Sequence, residues 1–333
     1  VSFALSGKGR INAETRKLVR QEAEAMGYQP NVLASTLPKK DKIRIGVICP
    51  ENDIFFCTVL QGIEAYYSEV AQYKVELVYF YSHGYDPQDQ LDKLQACQKA
   101  GMDGILLTPL DTQSIASMVR HIIDSGIPVV TYTNDLIDCG RLCFIGQNGE
   151  LAGTLAADLM DRVLKPGATI SLLETDSPMI ITQLRLSAFS CQMLKSGKKY
   201  ILSKPVEFPN YFDQAIHIAE KMISDEKPDA IYANNMLGTI AVGRALRRLA
   251  PERKITVFGY DANEEIDDML CDGILDLTLL QDPFSQGYYA LMLLIRSLYF
   301  KQKISKQVYH TRTLVLTKSN ISERAEINDF FLL

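Results

Sequence analysis

The fold class of this sequence is decided by three apolar stretches: Arg44-Ile-Gly-Val-Ile-Cys49, Gly104-Ile-Leu-Leu-Thr-Pro109 and Ile127-Pro-Val-Val-Thr-Tyr132. Each is short and almost continuously apolar. A strand with one solvated face would alternate apolar and polar residues, whereas a strand buried on both faces does not. We therefore predict parallel strands covered by helices on both faces, which is an α/β fold.

Longer stretches with helical spacing separate these strands along most of the chain. Asp86 followed by Pro87 marks one helix start, because a capping side chain precedes a proline at the first helical position. About twelve strand–helix units are too many for one ordinary doubly wound sheet, so we predict two lobes. The predicted strands are 43–49, 75–81, 104–107 and 129–132 in a first series, then 142–146, 169–173, 204–207, 230–233, 255–259 and 275–280.

Composition restricts the classes of protein. The 333 residues are 47% hydrophobic and 23% charged, as in ordinary globular proteins. No apolar run approaches the roughly 20 residues of a membrane helix, and the first residues do not resemble a secretory signal. The seven cysteines are odd in number and scattered, which favours reduced thiols over a disulfide framework or a zinc site. We expect a cytoplasmic protein with no membrane partner.

Polar and aromatic side chains follow many of the predicted strands. In open parallel sheets, ligands bind outside the carboxyl ends of the strands. Carboxylates and amides accept hydrogen bonds from hydroxyls, arginine donates them, and aromatic rings cover C–H faces. This chemistry suits a polyhydroxylated ligand in a cleft. The side chains in question include Asp53, Phe55, Phe56, Thr133, Asn134, Asp135, Thr175, Arg185, Asn235, Asp261 and Gln281.

Two simpler interpretations compete with a ligand site. Asp and Asn are also favoured in these loops because they cap helices. Enzymatic activity is the other alternative, but the four histidines are dispersed and the sequence holds no phosphate loop, HExxH or GxSxG motif. We therefore predict a binding protein without catalytic residues, cofactor or metal.

The N-terminal residues differ from the rest in charge. Residues 1–40 hold seven Lys or Arg and three Glu, a net charge of +4, whereas the whole chain carries −5 and the remainder therefore −9. Helical spacing from Leu18 to Met26, with Asn12 as a cap, predicts a short helix before Gly27. A basic head on an acidic body suggests that the head meets a polyanion.

The same N-terminal residues resemble a known family. The motifs Glu14-Thr15-Arg16, Met26-Gly27-Tyr28 and Pro30-Asn31, within the segment VSFALSGKGRINAETRKLVRQEAEAMGYQPNVLASTL, are similar to the head and hinge of the lactose repressor (LacI/GalR) family. From Ile45 onward the chain resembles the family's periplasmic sugar-binding-like domain, of the ribose-binding type. The resemblance covers essentially the whole chain.

The resemblance implies a truncated all-α helix-turn-helix head over 1–28 and a hinge helix and linker over 29–41. Ser35 departs from the family, which often has a basic residue there, and Pro38 follows soon after. Minor-groove affinity would then be weaker than is usual for the family. The implied DNA contacts are Phe3, Thr15, Arg16, Asn31, Ala34 and Leu37, with Leu37 as the wedge between base pairs.

The resemblance also implies the effector site and the division into lobes. The first lobe would comprise 42–136 plus 283–307, and the second 137–282 plus 308–333. Crossovers are expected near 135–138, 281–283 and 305–309. Phe56, Arg185, Asn235, Asp261 and Gln281 match effector contacts of the family. Asp53, Asn134 and Asp135 are similar in position but vary in identity across the family. Phe55 is included with them, and Tyr211 is one of the rings near 208–212 that could stack on the ligand.

These features imply a homodimeric transcription regulator. Its affinity for operator DNA would be controlled by a small polar effector, a sugar or polyol, bound between the lobes. The main alternative is a solute-binding protein of a sugar transporter, which shares the body but needs export and no DNA-binding head.

Overall fold

The computed structural model describes residues 42–51, 53–176, 179–209 and 211–322, together with Thr15 and Lys17. Thr15 is helical and exposed, and its role in DNA binding stays a prediction. Most of the head and all of the hinge and linker, residues 29–41, lie outside the described residues. The same is true of the remaining implied DNA contacts, which are Phe3, Arg16, Asn31, Ala34 and Leu37.

The first lobe is built on strand–helix units that begin at Ile43. Its helices start where side chains cap the free backbone N–H groups; Asp53, Asp86 and Asp111 each accept from the first turn of a helix. The elements are β1 (Ile43–Pro50), α1 (Ile54–Glu69), β2 (Val75–Ser82), α2 (Pro87–Lys99), β3 (Gly104–Leu107), α3 (Thr112–Asp124), β4 (Val129–Tyr132) and β5 (Cys143–Gln147).

The second lobe repeats the pattern, and the chain then returns to the first lobe before it ends in the second. The second-lobe elements are α4 (Gly149–Val163), β6 (Thr169–Thr175), α5 (Ile180–Lys195), β7 (Ile201–Leu202), β8 (Val206–Phe208), α6 (Phe212–Glu226), β9 (Ala230–Ala233), α7 (Met236–Leu249), β10 (Thr256–Tyr260), α8 (Glu264–Cys271) and β11 (Leu277–Leu280). The last elements are α9 (Pro283–Leu298), β12 (Val308–Thr311) and β13 (Leu314–Leu316).

The strands form two sheets. The first has the order β12-β5-β4-β3-β1-β2 and is parallel throughout. The second has the order β13-β11-β10-β9-β6-β7, with β8 also paired to β6, and only the β11–β13 pair is antiparallel. Buried apolar clusters lie on both faces of each sheet. The predicted α/β fold with two doubly wound lobes is confirmed for the described residues.

Two of the expected lobe boundaries are wrong. Strand 143–147 belongs to the first sheet, so the first crossover follows Gln147 rather than residues 135–138. Strand 308–311 also joins the first sheet, which places the last crossover at 312–313 rather than at 305–309. An apolar run indicates that a strand is buried, but both sheets bury their strands equally, so the run does not identify the sheet. The middle crossover lies at 281–282, between β11 and α9.

No helix within the described ranges is long and apolar enough to cross a membrane.

Helices α1 and α9 pack at unusually close range in the first lobe. A Cβ built on Gly62 would clash with the carbonyl oxygen of Phe284, and one on Gly287 would clash with that of Val59. The two glycines therefore allow the helix backbones to touch directly. This contact matters because α9 begins at the middle crossover and reaches back over the first sheet.

We expect Gly62→Ala to destabilise the protein by about 1–3 kcal/mol, because the added methyl forces the helices apart. Helix propensity alone predicts the opposite sign, a gain of up to about 1 kcal/mol. Denaturant unfolding measures the difference. Gly197→Ala is the control: its Cβ would meet open space, and its stability should stay within about 0.5 kcal/mol of wild type. A Gly62→Ala protein at least as stable as wild type would contradict the close packing.

Candidate functional site

A cavity of 340 Å³ lies between the lobes, at the carboxyl ends of strands from both sheets. Its volume is within the range of about 300–1,000 Å³ that is usual for small-molecule sites. The first lobe contributes the end of β1, the start of α1 and the loops after β2 and β4, and the second contributes loops after β6, β9, β10 and β11. It is the candidate binding site.

Seven of the ten predicted effector residues line this cavity. They come from five different strand ends that are far apart in sequence, and the fold brings them around one volume. Whether they bind a ligand stays a prediction, but their convergence is the geometry that the prediction requires. The seven are Asp53, Phe55, Phe56, Arg185, Asn235, Asp261 and Gln281.

The other three predicted residues do not line the cavity, for different reasons. Asn134 is buried beside it and links the lobes, since its Nδ2 donates to Pro109 O at 2.7 Å and its Oδ1 accepts from Ile181 N at 3.1 Å. The carboxylate of Asp135 accepts two hydrogen bonds from the guanidinium of Arg141, which is six residues away in sequence. Tyr211 is 69% exposed.

The next residue, Phe212, lines the cavity in place of Tyr211. Helix α6 starts at this position, and the direction in which a helix starts decides which of two adjacent rings faces inward. The sequence contains both rings and does not specify that direction.

Arg185 on α5 is the most heavily bonded side chain of the site. It is 1% exposed. Its Nε donates to Gln147 Oε1 at 2.9 Å, its Nη1 to the carbonyl oxygen of Asn234 at 3.1 Å and its Nη2 to Gln281 Oε1 at 2.7 Å. These acceptors lie at the ends of β5, β9 and β11, so one guanidinium joins three strand ends. A guanidinium has five N–H groups, and these bonds use three.

Aromatic side chains pack against the guanidinium of Arg185. Its guanidinium carbon lies 4.3 Å from the centroid of the Tyr260 ring, within the range of a cation–π contact. The Tyr260 hydroxyl is 3.1 Å from that of Tyr232, whose ring stacks on Phe189 at 3.9 Å between centroids. This packing fixes the position of Arg185, because Tyr260 contacts the guanidinium and is itself positioned by its contact with Tyr232.

Asp261 is a buried carboxylate with a perturbed pKa. Burial raises its pKa from 3.8 to about 6, while the charge of Arg185 and a hydrogen bond from Gln281 Nε2 at 2.8 Å act in the opposite direction. The negative charge of Asp53 raises it further. Asp261 also adopts a positive φ of 66°, a conformation that is uncommon for residues other than glycine.

Asp53 and Tyr85 face the cavity from the first lobe. Asp53 Oδ1 accepts from the backbone N–H groups of Phe55 and Phe56 and so caps α1, and its Oδ2 accepts from the Tyr85 hydroxyl at 2.9 Å. Asp53 therefore has two positions in the fold at once: one carboxylate oxygen caps α1, and the residue also lines the cavity.

Several lining residues are not among the ten effector residues predicted from the sequence. Thr133 and Thr175 were among the strand-end side chains, and Tyr85 follows β2 in the same way, so position alone could have identified them. The apolar members at the starts of α5 and α7 are indistinguishable from core residues in sequence. The full set of unselected lining residues is Glu51, Ile54, Gly84, Tyr85, Thr133, Thr175, Met179, Ile181, Thr182, Phe212, Met236 and Leu237.

A chain of hydrogen bonds runs from the cavity to the crossovers. Thr133 Oγ1 donates to Gln286 Oε1 at 2.8 Å, and Gln286 Nε2 donates to the carbonyl oxygen of Gln281 at 2.8 Å. Thr311 Oγ1 donates to that same oxygen at 2.9 Å. Side chains that line the cavity are thus bonded to two of the segments that join the lobes.

Among the described residues, no group of three or more His, Cys, Asp or Glu side chains is arranged to hold a metal ion.

Comparison with known proteins gives the family. Residues 45–302 match the model of the periplasmic binding protein domain, and the chain belongs to this family. The D-ribose/D-allose-binding protein of Pseudomonas aeruginosa is 24% identical over 273 residues, which is 78% of this chain and 83% of that protein. Catabolite control protein A of Priestia megaterium is 26% identical over 303 residues, 89% of this chain and 87% of that protein.

Solved structures agree on the fold. A solute-binding protein of Burkholderia graminis, solved in complex with D-arabinose, superposes with a TM-score of 0.80 at 20% identity and covers 86% of this chain and 99% of its own. The relatives therefore include sugar-binding proteins as well as a control protein.

We expect the cost of burying the Asp261 carboxylate to be visible as pH-dependent stability. Because the folded pKa is raised, the cost is fully present above about pH 6. It decreases as the pH falls and disappears below about pH 4, where both the folded and the unfolded forms become protonated. Asp261→Asn removes this titration. In unfolding experiments, the free energy of unfolding of Asp261→Asn minus that of wild type should decrease by up to about 3 kcal/mol as the pH is lowered from 7.5 to 4. A difference independent of pH would contradict the assignment.

Proposed function

We propose that this protein is a transcription regulator that binds operator DNA and senses a sugar or polyol in the cavity between its lobes. The observation that carries the proposal is the convergence of seven predicted side chains on one interlobe cavity. Membership of the periplasmic binding protein domain family supports a small-molecule site at this place.

The chemistry of the cavity suits several hydroxyl groups at once. Asp261 and Asn235 offer acceptor oxygens, and Arg185 has N–H groups beyond its three protein contacts. Phe55 and Phe56 pack edge to face, with ring centroids 5.3 Å apart, and present apolar surface to C–H groups. A sugar has this combination of edges that form hydrogen bonds and faces of C–H groups.

Two observations favour a regulator. Residues 1–40 carry a net charge of +4 and resemble the head and hinge of the lactose repressor family, as a DNA-binding segment would. The match to catabolite control protein A covers 89% of the chain, more than residues 42–333 hold, so it extends into the N-terminal residues.

In the proposed mechanism the protein is a cytoplasmic homodimer that binds its effector without turnover. Ligand closes the lobes, and the shift between the first lobes of the dimer changes how well the two hinge segments fit the minor groove. The bonds from Thr133 through Gln286 to Gln281 provide a path from the cavity to the crossovers. A coupling of about 1–3 kcal/mol suffices, since it changes affinity about 5- to 150-fold.

A solute-binding protein of a transporter is the second candidate. It is favoured by the similarity to the D-ribose/D-allose-binding protein and to the solute-binding protein solved with D-arabinose. The two candidates share the cavity and differ in DNA binding. A DNA-binding experiment on protein that is known to bind sugar therefore separates them.

We expect a thermal-shift screen of pentoses, hexoses and polyols to identify a stabilising ligand. A ligand at a hundredfold excess over its Kd stabilises the folded state by about 2.7 kcal/mol. Arg185→Ala should abolish the shift, because Arg185 lines the cavity and fixes the strand ends around it. Arg247→Ala is the matched control: Arg247 pairs with Asp272 on the surface. An unchanged shift in Arg185→Ala would place the binding site elsewhere.

We expect the full-length protein to bind operator DNA with an affinity that changes at least about fivefold when the stabilising ligand is added. Fluorescence anisotropy with a labelled operator, at fixed salt, measures the change. DNA binding that does not respond to the bound ligand would refute the allosteric mechanism. Lack of DNA binding under any condition, with intact sugar binding, would favour the transporter candidate.

A further inference from the structure

The charges around the cavity do not balance. Among the described lining residues, Glu51, Asp53 and Asp261 are anionic, and Arg185 is the single cation. The sequence positions beside the lining loops that the structure does not describe are all uncharged: Asn52, Ser177, Pro178 and Asn210. The lining therefore has an excess of negative charge.

Arg185 compensates part of this excess. Its three hydrogen bonds go to neutral oxygens, so its charge is not consumed by a direct ion pair, and it attracts Asp261 through space. One cation can balance one carboxylate. Glu51 is exposed, and solvent screens its charge. The uncompensated charge inside the cavity is therefore that of Asp53.

The contacts of Asp53 stabilise its carboxylate without neutralising it. They come from two backbone N–H groups and the hydroxyl of Tyr85, which are neutral donors. The start of α1 contributes the positive end of a helix dipole, equivalent to about half an elementary charge. A net negative charge remains, and it acts on both lobes. In the second lobe, the charge of Asp53 raises the pKa of Asp261. In the first lobe, burial is the largest cause of the raised pKa of Tyr85, and the charges of Asp53 and Asp261 raise it further.

The aromatic part of the lining is also compatible with a cation. Phe55, Phe56 and Tyr85 border the cavity on the side of Asp53. The face of an aromatic ring attracts a cation within about 6 Å, most strongly where water is excluded. Carboxylates flanked by aromatic rings thus form a suitable environment for an ammonium group, and an unfavourable one for a phosphate or carboxylate ligand.

We propose, on the basis of the function proposed above, that the ligand is a polyhydroxylated molecule carrying an ammonium group, such as an amino sugar, with the ammonium facing Asp53 and Asp261. Its hydroxyl groups are held by Arg185, Asn235 and Gln281. The positive charge balances the excess carboxylate when the lobes close, so the cavity selects amino sugars over their neutral counterparts.

The test compares matched ligands on the full chain by isothermal titration calorimetry at pH 7. The pairs are glucosamine with glucose, galactosamine with galactose and mannosamine with mannose, and each N-acetylated sugar serves as a neutral analogue that keeps the nitrogen. We expect at least one amino sugar to bind about tenfold or more tightly than its neutral partner and its N-acetyl form, because hydrogen bonds to charged groups are the stronger ones.

Asp53→Asn tests the assignment to this residue. Asparagine caps helices as well as aspartate does, so its side-chain oxygen can keep the contacts to Phe55 and Phe56 while the charge is lost. The preference for the amino sugar should fall to near parity. Asp272→Asn removes a carboxylate that pairs with Arg247 outside the cavity, and it should leave the preference unchanged.

The outcomes separate this inference from the proposed function. Neutral sugars that bind as tightly as or more tightly than the amino sugars would overturn the inference and leave sugar sensing intact. A preference that survives Asp53→Asn would also overturn it. If no amino sugar binds, the inference falls, whereas the sugar or polyol site falls only if the thermal-shift screen of pentoses, hexoses and polyols also finds no ligand.

Discussion

The buried guanidinium of Arg185 is the interaction on which the site depends. A charged group in the interior is tolerated only when its hydrogen bonds are met, and here oxygens at the ends of β5, β9 and β11 meet three of them. Since β5 belongs to the first sheet and the other two strands to the second, the position of this side chain also fixes how the sheets meet at the cavity. The aromatic rings of Tyr260, Tyr232 and Phe189 hold it in place.

The same constraint connects the cavity to the crossovers. Gln281 accepts from Arg185 through its side chain, and its backbone oxygen accepts from Gln286 and Thr311. Thr133 and Asp282 adopt positive φ angles of 63° and 55° at the two ends of this network. Such conformations persist only where surrounding contacts enforce them. The segments that join the lobes are therefore bonded to side chains that line the cavity.

Much of the site could be predicted from the positions of polar residues relative to strands. Asp53, Arg185, Asn235, Asp261 and Gln281 follow strands or begin helices, and parallel sheets place all such positions at one edge. Asn134 and Asp135 occupy equivalent positions, yet other protein groups use their side chains. Pro109 and Ile181 bind the amide of Asn134, and Arg141 binds the carboxylate of Asp135. Sequence position indicates the edge of the sheet but not which partner a side chain finds there.

The sequence by itself determined that buried parallel strands alternate with helices in two lobes, because apolar runs without alternation can be satisfied only between helical layers. It also determined where the polar residues collect. The tertiary structure decided that β5 and β12 join the first sheet, that Phe212 rather than Tyr211 faces the cavity, and that one arginine joins the ends of three strands there. These are contacts between segments far apart in the chain, and local patterns of hydrophobicity and capping carry no record of them.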